Sequence, residues 1–307
     1  MYHLATLFPA VKRIRIPLSR DQLMLIMLAL NELLLGLETF IAHLISGTIV
    51  PYEWIPIIFG PTAAILLVIA GLIAQRQRGT ANVIATIVYL TSIAVGLLGA
   101  YFHLIRAMRP YALPGDRLSV PLLVWAPPIL GPLTFSLVGM LGISSVWIED
   151  PPDSGILRLL RGKRIHLPLS ETRAMFLLVS LASLATVISS VLDHARTDFS
   201  NPWLWIPTSV GIFATVVAVL LGFIENPSRG DIFTYFAAMS LMLLVGVVGF
   251  YLHISEDLTS KGTLLVERFI RGAPPLAPLL FTNIGALGLI VLLDPDELKY
   301  TKKEAVS

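Results

Sequence analysis

Histidine is the most versatile ligand in this chain of 307 residues, which has six histidines and no cysteine. Four of the six stand at matched positions: His43 and His194 are 151 residues apart, and His103 and His253 are 150 apart. His103 and His253 close similar segments, VGLLGAYFH (Val95 to His103) and VGVVGFYLH (Val245 to His253). If His43 faces His103 and His194 faces His253 inside helical bundles, each pair is spaced to hold a haem b by bis-histidine ligation. Gly96 and Gly99, and likewise Gly246 and Gly249, precede their histidines by seven and four residues. At roughly 100° per residue they fall near the histidine's helical face, leaving backbone that a flat macrocycle can approach. The same spacing also lets a second helix pack closely with no cofactor at all.

A non-haem metal is the second reading of these histidines, because His plus carboxylate suits iron, manganese or zinc. Glu38 and Glu53 accompany His43, while Asp193, Asp198, Glu256 and Asp257 accompany His194 and His253. These acids do not align between the two sets, and the E-x-x-H spacing of di-iron bundles is absent, so haem ranks first. The lack of cysteine excludes disulfides, thiolate zinc sites and cysteine-ligated iron–sulfur clusters. Glu32 lies 11 residues before His43, on nearly the same helical face and about 16 Å away along the helix axis. Near the middle of an apolar run a carboxyl is costly. It is read either as protonated and bonded to Asn31 or Tyr89, or as part of a proton or cation path. Phosphate-loop, dinucleotide, nucleophile-elbow and zincin patterns do not occur.

The elements that must carry these residues are membrane helices. Hydrophobic residues make up 55% of the chain and charged residues 14%, the mean hydropathy is +0.80, and the charges are confined to patches between apolar runs. Eight spans are expected, near 22–46, 53–74, 82–108, 120–147, 172–193, 203–224, 231–254 and 274–294. Basic clusters at 12–20, 76–78, 158–164, 229 and 299–303 fall on the side of the N-terminus, which predicts both termini in the cytoplasm. Seven other basic residues, Arg106 among them, go against this bias. The expected setting is an integral protein of a bacterial or archaeal inner membrane, with the first span as targeting signal and lipid as the partner of the basic patches. Without basic runs interleaved with aromatics, nucleic acid is not a partner.

The apolar runs are organised as a repeat. KRIRIPLS at Lys12 to Ser19 returns as KRIHLPLS at Lys163 to Ser170, and Trp54-Ile55-Pro56 returns as Trp205-Ile206-Pro207, both 151 residues on. Ala126-Pro127-Pro128 returns as Ala273-Pro274-Pro275. Anchors in the same order predict an all-α protein built as two tandem four-helix units, residues 1–151 and 152–307. Four spans per unit give both units one orientation. Ser19 and Ser170 are each placed to N-cap the span that follows, and ILRLLRGKR in the connector reads as a short interfacial helix. Loops at 110–120 and 255–272 mix charged and apolar residues and suit docking to other membrane or outer-face subunits. The expected function is a polytopic subunit of a larger membrane complex, with electron transfer through cofactors on the paired histidines. The alternatives are a transporter or channel using Glu32, or a structural protein without cofactor.

Overall fold

A computed structural model describes residues 4–9, 18–47, 49–147, 149–151, 153–158, 163–259 and 276–293. The protein is an all-α membrane protein. Its helices in chain order are α1 (Leu4–Leu7), α2 (Arg20–Ser46), α3 (Trp54–Ala74), α4 (Arg78–Ala107), α5 (Val120–Trp125), α6 (Leu130–Val146), α7 (Glu171–Ala195), α8 (Trp205–Phe223), α9 (Arg229–Thr259) and α10 (Leu276–Val291). Among the described residues six helices are long and apolar enough to cross a membrane, and the bent pair α5 and α6 would make a seventh. α10 has 16 described residues, about 24 Å of helix.

Apolar side chains left exposed on these helices mark the lipid-facing surface. On α3, Ile58, Ile65 and Leu72 recur every seven residues, and each is about 60% exposed. In water such a stripe would be unfavourable; in hydrocarbon it costs nothing. The opposite faces build one continuous core, in which Met24, Leu28, Tyr89, Met175, Phe176, Tyr235 and Met239 are fully buried.

Two rings of four helices result. α2, α3, α4 and α6 pack in a closed ring, as do α7, α8, α9 and α10, and the rings meet where α2 touches α10 and α6 touches α7. Leu4 N–H donates to Leu292 O at 2.7 Å, so the described start and end of the chain lie at the same end of the molecule, here the near face. His43, His103 and His194 lie toward the far face, where Arg196 Nε donates to Val124 O at 2.9 Å.

The fourth apolar run is broken. Ala126 is extended (φ −74°, ψ 167°) before Pro127-Pro128, and α5 meets α6 at 80°. A residue preceding proline is pushed out of the α region, and two successive prolines remove two donors, so the helix stops and restarts beyond them. The continuous span expected at 120–147 is thus two pieces. The corresponding Pro274-Pro275 lies outside the described residues.

The connector also departs from expectation. Instead of an interfacial helix, Ile156–Arg158 (β1) pairs antiparallel with Arg164–His166 (β2), Leu157 standing opposite Ile165. β-branched Ile156 and Ile165 favour the extended form, and Gly155 at φ 73° supplies a turn before β1.

The two serine doorways are likewise unequal. Ser19 Oγ accepts from Gln22 N–H at 3.2 Å while Gln22 Oε1 accepts from Ser19 N–H at 3.0 Å, a complete capping box. Ser170 makes no cap bond. The first N–H of α7, from Glu171, goes instead to Oε1 of the buried Glu149 at 2.6 Å, and Gly155 N–H reaches the same oxygen at 3.0 Å.

Burial, with the nearby Asp153 adding to it, pushes the Glu149 carboxyl above its usual range, and the backbone N–H bonds it accepts offset this only in part. The folded protein therefore holds this proton more tightly than the unfolded chain, so the group favours folding at acid pH and loses that contribution as pH rises through its folded pKa. Glu149→Gln is expected to flatten this slope in thermal melts taken across pH, and Glu149→Ala to destabilise by about 1–2 kcal/mol by leaving two N–H groups unbonded.

Candidate functional site: paired imidazoles and a buried carboxyl

At the far end of the first ring, His43 from α2 and His103 from α4 meet across the bundle diagonal. Their ring centroids are 6.1 Å apart with planes inclined at 63°. Each Nδ1 is already engaged by backbone: His43 Nδ1 is 2.8 Å from Thr39 O, one turn back on α2, and His103 Nδ1 is 2.9 Å from Pro128 O. A carbonyl only accepts, so both Nδ1 atoms carry a proton, and in the neutral form of each ring the lone pair is on Nε2. The proline break between α5 and α6 leaves the carbonyl that orients His103, since no helix continues through Pro128 to use it.

Glu53, buried at the start of α3, completes this corner. Its Oε2 accepts from Val50 N–H at 3.0 Å, and its Oε1 lies 3.8 Å from His43 Nε2 and 3.7 Å from Arg106 Nη1. Among the described residues no group of three or more His, Asp or Glu side chains is disposed to hold a metal ion.

In the second ring His194 lies within electrostatic reach of His253 and Asp193, and its Nδ1 is 3.3 Å from Ser190 Oγ. Ser190 precedes His194 by four residues, as Thr39 precedes His43, but here the hydroxyl makes the contact rather than the carbonyl. Asp193 is drawn toward Arg196 at 3.8 Å.

The glycines are occupied by helices. A Cβ on Gly96 would overlap Ser136 Oγ, and one on Gly99 would meet Pro132 Cβ at 2.7 Å, both on α6. In the second ring a Cβ on Gly246 would overlap Thr282, and one on Gly249 would meet Pro278 Cβ at 2.9 Å, both on α10. The glycine faces are filled by backbone and short side chains of α6 and α10.

Glu32 is fully buried inside the first ring. Its partner is neither Asn31 nor Tyr89. Ser92 Oγ stands 2.5 Å from Glu32 Oε1 and 2.8 Å from Phe135 O. Sequence reasoning missed Ser92, although a signal was present: Ser92 precedes His103 by 11 residues, as Glu32 precedes His43, which sets both at one depth. Glu32 Oε2, Tyr89 Oη and Asn31 Nδ2 are buried without a hydrogen-bond partner.

No family model matches the chain, and no curated protein or solved structure matches it significantly.

Proposed function

We propose that this chain is a polytopic subunit of a larger membrane complex that holds a redox-active or Lewis-acid metal at the His43–His103 pair, with His194–His253 as a second, looser pair. The observation that carries the reading is the first pair itself: two rings in contact, each with Nδ1 fixed by a carbonyl so that Nε2 is the nitrogen available to a metal, as metal-bound imidazoles are held. A small ion fits this geometry better than haem b, because α6 and α10 fill the glycine faces. Ligands about 2.1 Å from a tetrahedral ion lie about 3.4 Å from one another. Glu53 Oε1, at 3.8 Å from His43 Nε2, would need only a small shift to serve as third ligand, releasing Arg106 as it moved.

The architecture proposed around the pair is eight spans in two tandem four-helix units of equal orientation, both termini cytoplasmic. Three features favour it. The bond between Leu4 and Leu292 sets both residues at one end of the molecule, as an even number of crossings would. The two rings have the same helix order, and each contributes its first and fourth helix to their junction. Arg20 also pairs with Glu171, 151 residues away, which is the spacing of the repeat. A residue that touches its own counterpart lies on a two-fold axis.

Partnership is proposed from the far-face loop, where Leu113, Val120 and Trp125 are each at least 70% exposed and Tyr111 is fully exposed. The second loop proposed for docking, 255–272, lies mostly outside the described residues. The transporter alternative has the burial of Glu32 in its favour, with no ion-paired cation beside it among the described residues.

Elemental analysis of the purified protein, with cobalt titration followed by visible absorption, tests the metal. The expected result is one ion per chain at the first pair, lost in His43→Ala and in His103→Ala, with no haem band after dithionite. Absence of metal together with no cobalt spectrum would refute the site.

A further inference from the structure

We propose that Glu32 and Ser92 form an exchangeable proton-binding site inside the first helical ring, one that the second ring does not have. The argument begins with counting protons. Ser92 Oγ is within hydrogen-bond distance of two acceptors, Glu32 Oε1 and Phe135 O, yet a hydroxyl has one proton. Both contacts are full two-centre hydrogen bonds at once only when the carboxyl carries a proton and donates it to Ser92 Oγ, which then donates to Phe135 O; otherwise one hydroxyl proton is shared between two acceptors. When the carboxyl loses that proton, the hydroxyl turns toward Glu32 Oε1, and Phe135 O keeps its bond within α6. The serine therefore serves both states of the carboxyl by a single rotation.

The fold does not require this polarity. In the second ring the positions matching Glu32, Tyr89 and Ser92 are Ser183, Met239 and Met242, all fully buried in the same kind of packing. Gly142 makes room for the Tyr89 ring and Gly288 makes room for Met239, so one notch accepts either side chain. The second ring also buries unpartnered hydroxyls, those of Ser183 and Tyr235, but no ionisable carboxyl at this position, and a carboxyl is the costlier group to bury.

The carboxyl itself is incompletely satisfied. Glu32 Oε2 and Tyr89 Oη both lack partners. They are the atoms that an entering water would bind, and that water is the acceptor of the released proton. The groups facing the carboxyl are Tyr89 and Ser92 from α4, with Ser92 linking it to Phe135 O of α6, and neither is a cation; the Gly60 backbone of α3 lies against the Glu32 main-chain carbonyl instead. From Glu32 the same face of α2 continues through Gly36 and Thr39 to His43, which leads the site toward the far-face imidazoles. The proposal stands whether or not those imidazoles hold metal.

Infrared spectroscopy of the protein in lipid nanodiscs tests it. A carboxylic C=O band is expected at neutral pH, absent in the near-isosteric Glu32→Gln, displaced in Ser92→Ala and shifted after transfer to D2O. It should be lost reversibly on raising pH and be insensitive to sodium at fixed pH. Glu32→Gln is checked for native elution and melting, and Ser92→Ala gives an independent reading if that variant misfolds. Overturning results are a spectrum with no band assignable to Glu32, a band that never exchanges in D2O, or a band removed by sodium, which would make the site one for a metal cation.

Discussion

Replacing Arg20 with methionine is expected to destabilise the protein by about 3–5 kcal/mol, the range for removing one partner of a buried ion pair. Arg20 is 3% exposed where α2 and α7 begin. Its Nη2 is 2.6 Å from Glu171 Oε1, its Nη1 donates to Thr172 Oγ1 at 2.8 Å, and Thr172 in turn donates to Asp153 Oδ1 at 2.5 Å. One guanidinium thus ties the second ring and the connector to the first. Without it Glu171 stays buried with Glu149 and Asp153 nearby and no cation to balance them. Thermal unfolding in nanodiscs measures the loss, and a change below about 1 kcal/mol would show that water already screens the pair. The double variant Arg20→Glu with Glu171→Arg is expected to recover part of the stability, because it restores a buried pair of opposite charges at the same contact. No recovery would show that the pair's worth depends on its orientation toward Thr172 and Asp153.

Gly60→Leu is expected to cost about 3 kcal/mol or more, at the upper end for overpacking. A Cβ there would overlap the Glu32 carbonyl oxygen and stand 2.8 Å from Gly36 Cα, so the obstacles are backbone atoms of α2 with no rotamer to yield. α2 and α3 must separate, and Glu32 moves with them. Gly288→Ala provides the contrast, since its obstacle is the flexible Met239 side chain, and a loss of about 1 kcal/mol is expected. Equal costs for the two variants would mean that α2 and α3 are not held in close contact in the bilayer.

The membrane class and the placement of most helices were legible in the sequence, because in hydrocarbon a long apolar run has essentially one solution, a helix with all its backbone bonds internal. α2, α3, α4, α7 and α8 begin and end within about four residues of the expected bounds. The proximity of His43 to His103 was also legible, since helical periodicity and matched depth suffice to bring the first and third helices of a ring together.

What the sequence could not decide were properties that depend on a neighbour. V-G-x-x-G-x-Y-x-H is equally consistent with a cofactor face and a helix contact, and only the approach of Pro132 and Pro278 to those glycines distinguishes them. KRI-x-x-PLS reads the same twice, yet Ser19 caps its helix while Ser170 leaves that role to Glu149, a residue delivered by the folding of the connector. Glu32 was visible as a costly residue. Its partner was not, because Ser92 lies 60 residues away and becomes a neighbour only when α2 and α4 share one interior. Periodicity and hydropathy act within a single helix and are written in the chain, whereas hydrogen-bond partners and steric fit are properties of surfaces that meet only in the tertiary structure.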